Sequence, residues 1–119
     1  MSALSTQFGG MAHTSDQEVT EAYGIVLGPI DVQNYSTLGF YIHNKGADDV
    51  ASLKLWTAPV ETGPWIEVDE LLSANVIADA GAYAVKADQA LKFIRLEAEC
   101  GAGDATVVDV WVCASRYGL

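Results

Sequence analysis

Two histidines, His13 and His43, are the side chains best suited to acid–base or nucleophilic chemistry in this chain. Nucleophilic catalysis needs such a base beside a serine, threonine or cysteine. His13 lies in a small, polar amino-terminal segment and His43 at the end of an alternating strand, and neither occurs in a G-x-S-x-G or comparable context. We therefore expect no catalytic residue and a chain that is not an enzyme. A small hydrolase built on two converging carboxylates is the alternative, which only geometry decides.

Metal and cofactor sites have equally thin support. His43 with Asp48 and Asp49 is a sparse ligand set, and CxxC, HxxxH and EF-hand patterns are absent from the sequence. An acidic stretch could hold Ca²⁺ or form a solvated edge that discourages strand aggregation; it comprises Glu61, Glu67, Asp69 and Glu70. The glycines at 101–103 precede a strand, which indicates a turn rather than a dinucleotide fingerprint. We expect no metal and no cofactor.

The charge balance excludes several partners. Six Lys and Arg against sixteen Asp and Glu give a net charge of −10, which repels nucleic acid and anionic membrane surfaces. The first eighteen residues lack the basic and apolar regions of a signal peptide, and no apolar run is long enough to span a bilayer. We expect no nucleic-acid and no membrane partner, and synthesis in a cytoplasm-like compartment.

Hydrophobic patterning indicates one all-β domain. The chain has 119 residues and is 50% hydrophobic, and from Gln17 onward apolar residues recur with period two between turn signals about 8–12 residues apart. This predicts an antiparallel, jelly-roll-like β-sandwich over residues 17–119. The predicted strands are 19–27 (closed by Gly28-Pro29), 36–43, 50–57, 65–68, 83–86, 91–99 and 105–115; in 71–78 a short helix competes with a strand.

The first sixteen residues are predicted to form an amino-terminal arm. They are small and polar, with two glycines at 9–10 and isolated apolar residues such as Phe8 and Met11. The segment is either a disordered tail or an arm that orders on a neighbouring subunit and buries those two side chains.

The last two strands allow a register to be predicted. Opposed residues of an antiparallel pair point the same way, so a three-residue loop at 101–103 pairs residues whose numbers sum to 204. Phe93 then opposes Trp111, and Arg95 opposes Asp109, on the face opposite the apolar set Ile94, Leu96, Ala98, Val108, Val110 and Val112. The same register separates Cys100 from Cys113 by far more than disulfide reach, so both are expected to be reduced.

Aromatic side chains fall on the second face of their strands or beside turns: Tyr41, Trp56, Trp65, Phe93 and Trp111. They could form a sugar-stacking platform or a subunit interface, or they could be covered within the monomer. The residues that we place at a candidate interface are Phe8, Met11, Trp56, Trp65, Phe93, Arg95, Asp109 and Trp111.

The order of strands in the last two thirds of the chain carries a resemblance. It is based on LeuGlyPheTyrIleHisAsnLysGly (38–46), LeuTrpThr (55–57), GlyProTrp (63–65), AlaGlyAlaTyr (80–83), LysPheIleArgLeu (92–96) and a valine-rich final strand. This pattern resembles small β-sandwich virion proteins of tailed bacteriophages, including capsid decoration (cement) proteins; the Phe-Ile-Arg-Leu strand also resembles discoidin-type jelly rolls.

The resemblance implies a non-enzymatic homo-oligomer, often a trimer, that strengthens the expanded capsid. It implies the major capsid protein or another virion protein as partner, assembly in the host cytoplasm and a place on the virion surface. A carbohydrate-binding module or a tail- or fibre-associated module is the alternative.

Overall fold

Eight β-strands make up the regular structure of the chain. The structure, a computed structural model, describes residues 10–33, 35, 37–72, 77–78, 81–87 and 91–115. The strands are β1 (Met11–Val19), β2 (Gly24–Asp31), β3 (Thr37–Asn44), β4 (Val50–Ala58), β5 (Ile66–Leu72), β6 (Ala82–Ala87), β7 (Phe93–Cys100) and β8 (Thr106–Ser115).

The strands form two four-stranded antiparallel sheets packed face to face. Sheet A has the order β1-β8-β3-β6 and sheet B the order β2-β7-β4-β5. Of the consecutive strands, only β4 and β5 are neighbours in one sheet, so the chain otherwise passes from one sheet to the other at each connection. The predicted all-β antiparallel sandwich is confirmed.

The core lies between the two inner faces and follows from the period-two pattern. Phe40 and Ile42 of β3 and Leu53 and Leu55 of β4 all belong to this core, and each of these side chains is at most 2% exposed. Alternate residues of a strand point to opposite faces, so each strand contributes its apolar set to the core and its polar or aromatic set to the outside. Each such aliphatic or aromatic side chain contributes about 1.5–3 kcal/mol when it leaves water.

The predicted final hairpin is wrong, although the predicted core set is buried. Strand β7 pairs with β2 and β4 in sheet B, whereas β8 pairs with β1 and β3 in sheet A. Ile94, Leu96, Val108 and Val110 are all fully buried, but they point at each other across the sandwich rather than along one face. Alternation along a strand fixes which of its residues share a face. It does not determine whether the strand that packs against them is a neighbour in the same sheet or belongs to the opposite sheet.

The amino-terminal prediction also needs correction. The expected strand over 19–27 is replaced by β1 and β2, which are joined by a turn, and Gly28-Pro29 lies inside β2 rather than at its end. The expected boundary between an arm (1–16) and the domain (17–119) falls within β1, whose Ala12 is 6% exposed and belongs to the core. What remains of the arm hypothesis concerns residues 1–9, which lie outside the described residues.

The segment for which helix and strand competed is extended where it is described. Strand β5 continues to Leu72, and Ile77 forms an isolated antiparallel bridge with Val50. Residues 73–76 lie outside the described residues.

The two cysteines lie in different sheets and at opposite ends of the sandwich, because Cys100 lies beside Val19, which pairs with Thr106 at the start of β8. Cys100 ends β7 and is buried, with its Sγ 3.6 Å from the carbonyl oxygen of Val19, and burial raises the pKa of its thiol. Cys113 is exposed and lies seven positions beyond the start of β8 at Thr106, roughly 23 Å along the strand. The hairpin argument for their separation fails, but the observed topology keeps the two sulfurs apart.

Candidate interaction surfaces on the two outer faces

The outer face of sheet A presents three rows of residues, and each row runs across the sheet with one residue from each of the four strands. Strand register defines them as Met11–Cys113–Gly39–Lys86, His13–Trp111–Tyr41–Ala84, and a lower row in which Asp109 pairs with His43 and His43 with Ala82. On β1 the lower row is completed by Asp16, whose amide hydrogen-bonds to Asp109. We refer to these twelve residues as face A.

An aromatic cluster occupies the centre of face A. The His13 and Trp111 rings are stacked, with centroids 4.2 Å apart and planes inclined by 7°. Tyr41 approaches Trp111 from the other neighbouring strand, with centroids 5.4 Å apart at 62°. This edge-to-face and stacked geometry is what ring quadrupoles favour. The three rings form a continuous row across β1, β8 and β3.

The lower row of face A contains its acidic groups, Asp16 and Asp109, and a single lysine pairs with both of them. The Oδ1 atom of Asp109 accepts a hydrogen bond from the backbone amide of Asp16 at 2.9 Å and lies 3.4 Å from Lys45 Nζ. Lys45 Nζ is also 2.6 Å from Asp16 Oδ1. The Asp16 amide and Lys45 hold the pKa of Asp109 below its usual value, and hydrogen bonding to Asp16 raises the pKa of Lys45. A bulge, with Asp16 at φ 54°, brings its amide to the carboxylate.

The two upper rows of face A contain no acidic residue. Met11 is 65% exposed and Tyr41 is 44% exposed, and Lys86 is the single formally charged side chain of these rows. In a chain with sixteen acids, this absence makes the upper part of face A chemically distinct. Exposed apolar and aromatic area of this kind marks interaction sites on protein surfaces.

The outer face of sheet B carries a second aromatic cluster, organised around an arginine. The Arg95 guanidinium carbon lies 5.4 Å from the Trp56 ring and 4.6 Å from the Trp65 ring. Arg95 Nη2 forms an ion pair with Glu97 Oε2 at 3.0 Å. Among the described residues, two buried donors lack a hydrogen-bond partner, Trp56 Nε1 and Arg95 Nε. One ring face of each tryptophan is thus already occupied by the chain's own cation.

A second group of polar residues on or beside this outer face is also linked by contacts. Lys54 Nζ lies 4.5 Å from the Tyr23 ring centroid and 3.3 Å from Glu67 Oε1. The Tyr23 hydroxyl donates to Ser52 Oγ at 2.6 Å, and Ser52 Oγ donates to Glu70 Oε2 at 3.1 Å. Unlike the two upper rows of face A, this surface contains several paired charges.

The structure divides the predicted interface residues between two opposite faces. Met11, Asp109 and Trp111 lie on face A; the residues on the outer face of sheet B, or beside it, are Trp56, Trp65, Phe93 and Arg95. The predicted pairs Arg95–Asp109 and Phe93–Trp111 are therefore wrong, because their members belong to different sheets. Phe93 is 8% exposed with Lys92 Nζ 5.5 Å from its ring centroid. Phe8 lies outside the described residues.

Sequence reasoning missed His13 as a member of the aromatic row. It was assigned to the arm, whereas the strand begins at Met11. The signal that could have found it is the alternation of Met11 and His13 with the buried Ala12, which continues the period of the sheet.

Two of the acidic residues considered as metal ligands, Asp48 and Glu67, have partners within the chain. Asp48 Oδ2 accepts the amide of Ala105 at 2.9 Å, and Glu67 pairs with Lys54. Among the described residues, no group of three or more His, Cys, Asp or Glu side chains could hold a metal ion. The side chain of Asp69 lies outside the described part of the chain.

Where the structure is described, no helix is long and apolar enough to cross a membrane.

No protein-family model matches the chain, and no curated protein matches it in sequence. Its fold is similar to a crystal structure of PirA, at 14% identity and a TM-score of 0.52 over 88% of this chain and 93% of that one. It is more distantly similar to a structure of Bacillus endospore appendages, described as disulfide-linked pili, at 9% identity and a TM-score of 0.46 over 89% and 88% of the two chains. A structure of infectious bursal disease virus, Gx strain, gives 10% identity and 0.45 over 91% of this chain and 30% of that one. At these identities the likeness concerns the fold and does not extend to function.

Proposed function

We propose that this chain is a non-enzymatic virion structural protein, most concretely a capsid decoration protein that acts as a homo-oligomer at the virion surface. The observation that carries this proposal is the exposed, acid-free aromatic row of face A in a chain of net charge −10. High net charge keeps a protein soluble at the concentrations at which a multicopy component accumulates, while an uncharged patch allows contact with another protein. The resemblance of strand order to phage virion proteins supplies the specific role.

The candidate partner is the major capsid protein or another virion protein. Residues 1–9, with Phe8, are the segment that we propose to reach from one subunit to its neighbour. The chain continues from the exposed end of β1 at Met11, which is at the border of face A. If face A contacts a neighbouring subunit, residues 1–9 are attached at the edge of that contact and can enlarge it.

Purified protein mixed with undecorated, expanded capsids tests the decoration role. Co-sedimentation should show saturable binding with a fixed ratio of this chain to the capsid protein. An unrelated protein of similar size and negative charge is the control, because it measures trapping and purely electrostatic adsorption. Binding that does not saturate, or that equals the control, contradicts the decoration role.

A carbohydrate-binding or tail- or fibre-associated module is the second candidate, favoured by the two surface tryptophans beside Arg95. A sugar platform needs an open ring face, and Arg95 covers one face of Trp56 and of Trp65, as His13 does for Trp111. This occupancy is why the protein interface is preferred. Tryptophan-fluorescence titration with a panel of oligosaccharides separates the two roles, because saturable change would favour the module.

A further inference from the structure

We infer that face A is a two-fold interface at which two copies of this chain pack sheet to sheet. The inference deepens the proposed function only by naming the contact of the homo-oligomer. It holds or fails independently of capsid attachment, because its test uses the purified chain alone. The partner surface is face A itself, so the contact is isologous.

Strands β8 and β3 are the two central strands of sheet A. Consider a two-fold axis that runs parallel to the strands, above face A and midway between β8 and β3. It would place β8 of one copy over β3 of the other, and β1 of one copy over β6 of the other. Positions along the strands are unchanged by this rotation, so each row meets its own copy reversed. Sheets packed in this aligned way lie about 10 Å apart and within about 30° of each other.

Each row is complementary to its reversed copy. In the middle row Trp111 faces Tyr41, and His13 faces Ala84, so that large side chains meet an aromatic or a small residue. In the upper row Cys113 faces Gly39. His13 and Cys113 thus meet small residues and Trp111 meets an aromatic ring, which allows the side chains of the two aligned sheets to interdigitate.

The rotation also avoids opposing like charges. The lower row brings Asp109 over His43, and the acidic Asp16 over Ala82, so no acid of one copy faces an acid of the other. Two chains of net charge −10 repel one another, and the upper rows of face A are where their surfaces can approach without opposing carboxylates. Because screening shortens the range of that repulsion, dimerisation should strengthen as salt is added.

The area of face A sets the strength of the contact. Four strands about 4.8 Å apart and three rows about 6.7 Å apart cover roughly 19 × 20 Å, or about 400 Å² per copy. Stable complexes bury about 800 Å² per partner, so the described part of the chain supports a weak, reversible dimer. It should be measured at protein concentrations from about 10 μM to 1 mM.

Sedimentation equilibrium is the first test, with two variants matched in charge and exposure. Tyr41 is 44% exposed on face A, and Ile25 is 46% exposed on the outer face of sheet B. Tyr41→Glu should weaken dimerisation at least tenfold, whereas Ile25→Glu should leave the dissociation constant within about twofold of the parent. A parent chain that is monomeric at every concentration, a trimer, or equal effects of the two variants would overturn the inference.

A charge swap tests the two-fold geometry itself. Met11 and Lys86 lie on opposite edges of sheet A, roughly 14 Å apart within one copy. The two-fold axis places Met11 of each copy over Lys86 of the other copy. Met11→Lys should weaken the dimer about two- to tenfold, and adding Lys86→Glu should restore it. A double variant that is no tighter than Met11→Lys excludes this arrangement.

Cross-linking at Cys113 gives a distance readout. The axis sets the two Cys113 residues one strand apart on facing sheets, with Cα atoms roughly 11 Å apart. A short bis-maleimide should trap a covalent dimer, and direct oxidation should not, because a disulfide requires Cα atoms within about 7 Å. Cys113→Ser should abolish the cross-link; a cross-link that survives this change, or its absence in the parent, contradicts the inference.

Discussion

His13 stacks on Trp111, and this contact joins the edge strand β1 to the central strand β8. A stacked aromatic pair contributes about 0.5–1.5 kcal/mol beyond the area that it buries. His13→Ala should therefore lower the free energy of unfolding of the isolated subunit by about 1 kcal/mol, measured by urea denaturation. His13→Phe should retain most of it, because the ring contact remains. Equal losses in the two variants would show that the stack is not what stabilises β1.

Arg95 is predicted to stabilise the outer face of sheet B. Its side chain is 21% exposed, lies over two tryptophan rings and pairs with Glu97, which is 12% exposed. Arg95→Ala should cost about 1–3 kcal/mol of unfolding free energy, because the partly buried Glu97 loses its partner together with the cation–π contacts. Arg95→Lys should recover only part of this, since an ammonium cannot stack as a guanidinium does. Denaturant titration decides, and a change below about 0.3 kcal/mol for Arg95→Ala contradicts the prediction.

Asn44 should be among the polar residues least tolerant of substitution. It is fully buried, and its Nδ2 donates to the carbonyl oxygens of Asp48 and Ile77, each at 2.8 Å. Its Oδ1 accepts from the Gly46 amide at 3.0 Å and the Thr106 hydroxyl at 2.7 Å. Asn44→Ala leaves these groups unsatisfied and should cost about 3 kcal/mol in a thermal or urea unfolding experiment.

The control for Asn44 is the exposed Gln33, which lies in the turn between β2 and β3. Gln33→Ala should change stability by less than about 0.5 kcal/mol, as surface substitutions usually do. Comparable losses of unfolding free energy at the two positions would show that the hydrogen bonds of Asn44 do not contribute more to stability than an exposed side chain does.

Asp109 should make stability depend on pH in the acid range. Its pKa is held low by the Asp16 amide and by Lys45, so the carboxylate stabilises the fold above the unfolded-state value near 3.9. That stabilisation is lost as the pH falls through the lower, folded-state pKa. Asp109→Asn should melt below the parent at neutral pH, and the two curves of melting temperature against pH should converge as the pH falls through the lowered, folded-state pKa of Asp109. Parallel curves would contradict the assignment.

Truncations test where the domain begins. Removing residues 1–16 deletes most of β1 and its pairing with β8, and should lower the melting temperature substantially. Removing residues 1–9 leaves β1 whole and should keep the isolated subunit's melting temperature within a few degrees, while weakening assembly if these residues reach a neighbour. If the longer deletion melts like the parent, the strand contributes little to the fold.

The residues of the inner faces could be predicted because a strand with one buried face has apolar residues at every second position. Ile94, Leu96, Val108 and Val110 alternate with polar or aromatic residues, and a period of two assigns them to the core wherever the strands lie. The two rings Trp111 and Tyr41 were placed on outer faces by the same reasoning. Composition and net charge are also properties of the chain alone, and they determine that contact with another acidic chain must avoid its carboxylates.

Which strands are neighbours was decided by the tertiary structure. Short Gly-containing connections permit a hairpin and a crossing between sheets alike, so residues 101–103 could not assign β7 and β8 to one sheet or two. Asn44 reads as a turn residue in sequence, and its role as a buried hydrogen-bonding centre depends on Ile77 and Thr106, which are distant along the chain. The rows of face A arise from four strands that are separated by long stretches of sequence. Their register is set by the free energy of packing two sheets against one core, which no local pattern encodes.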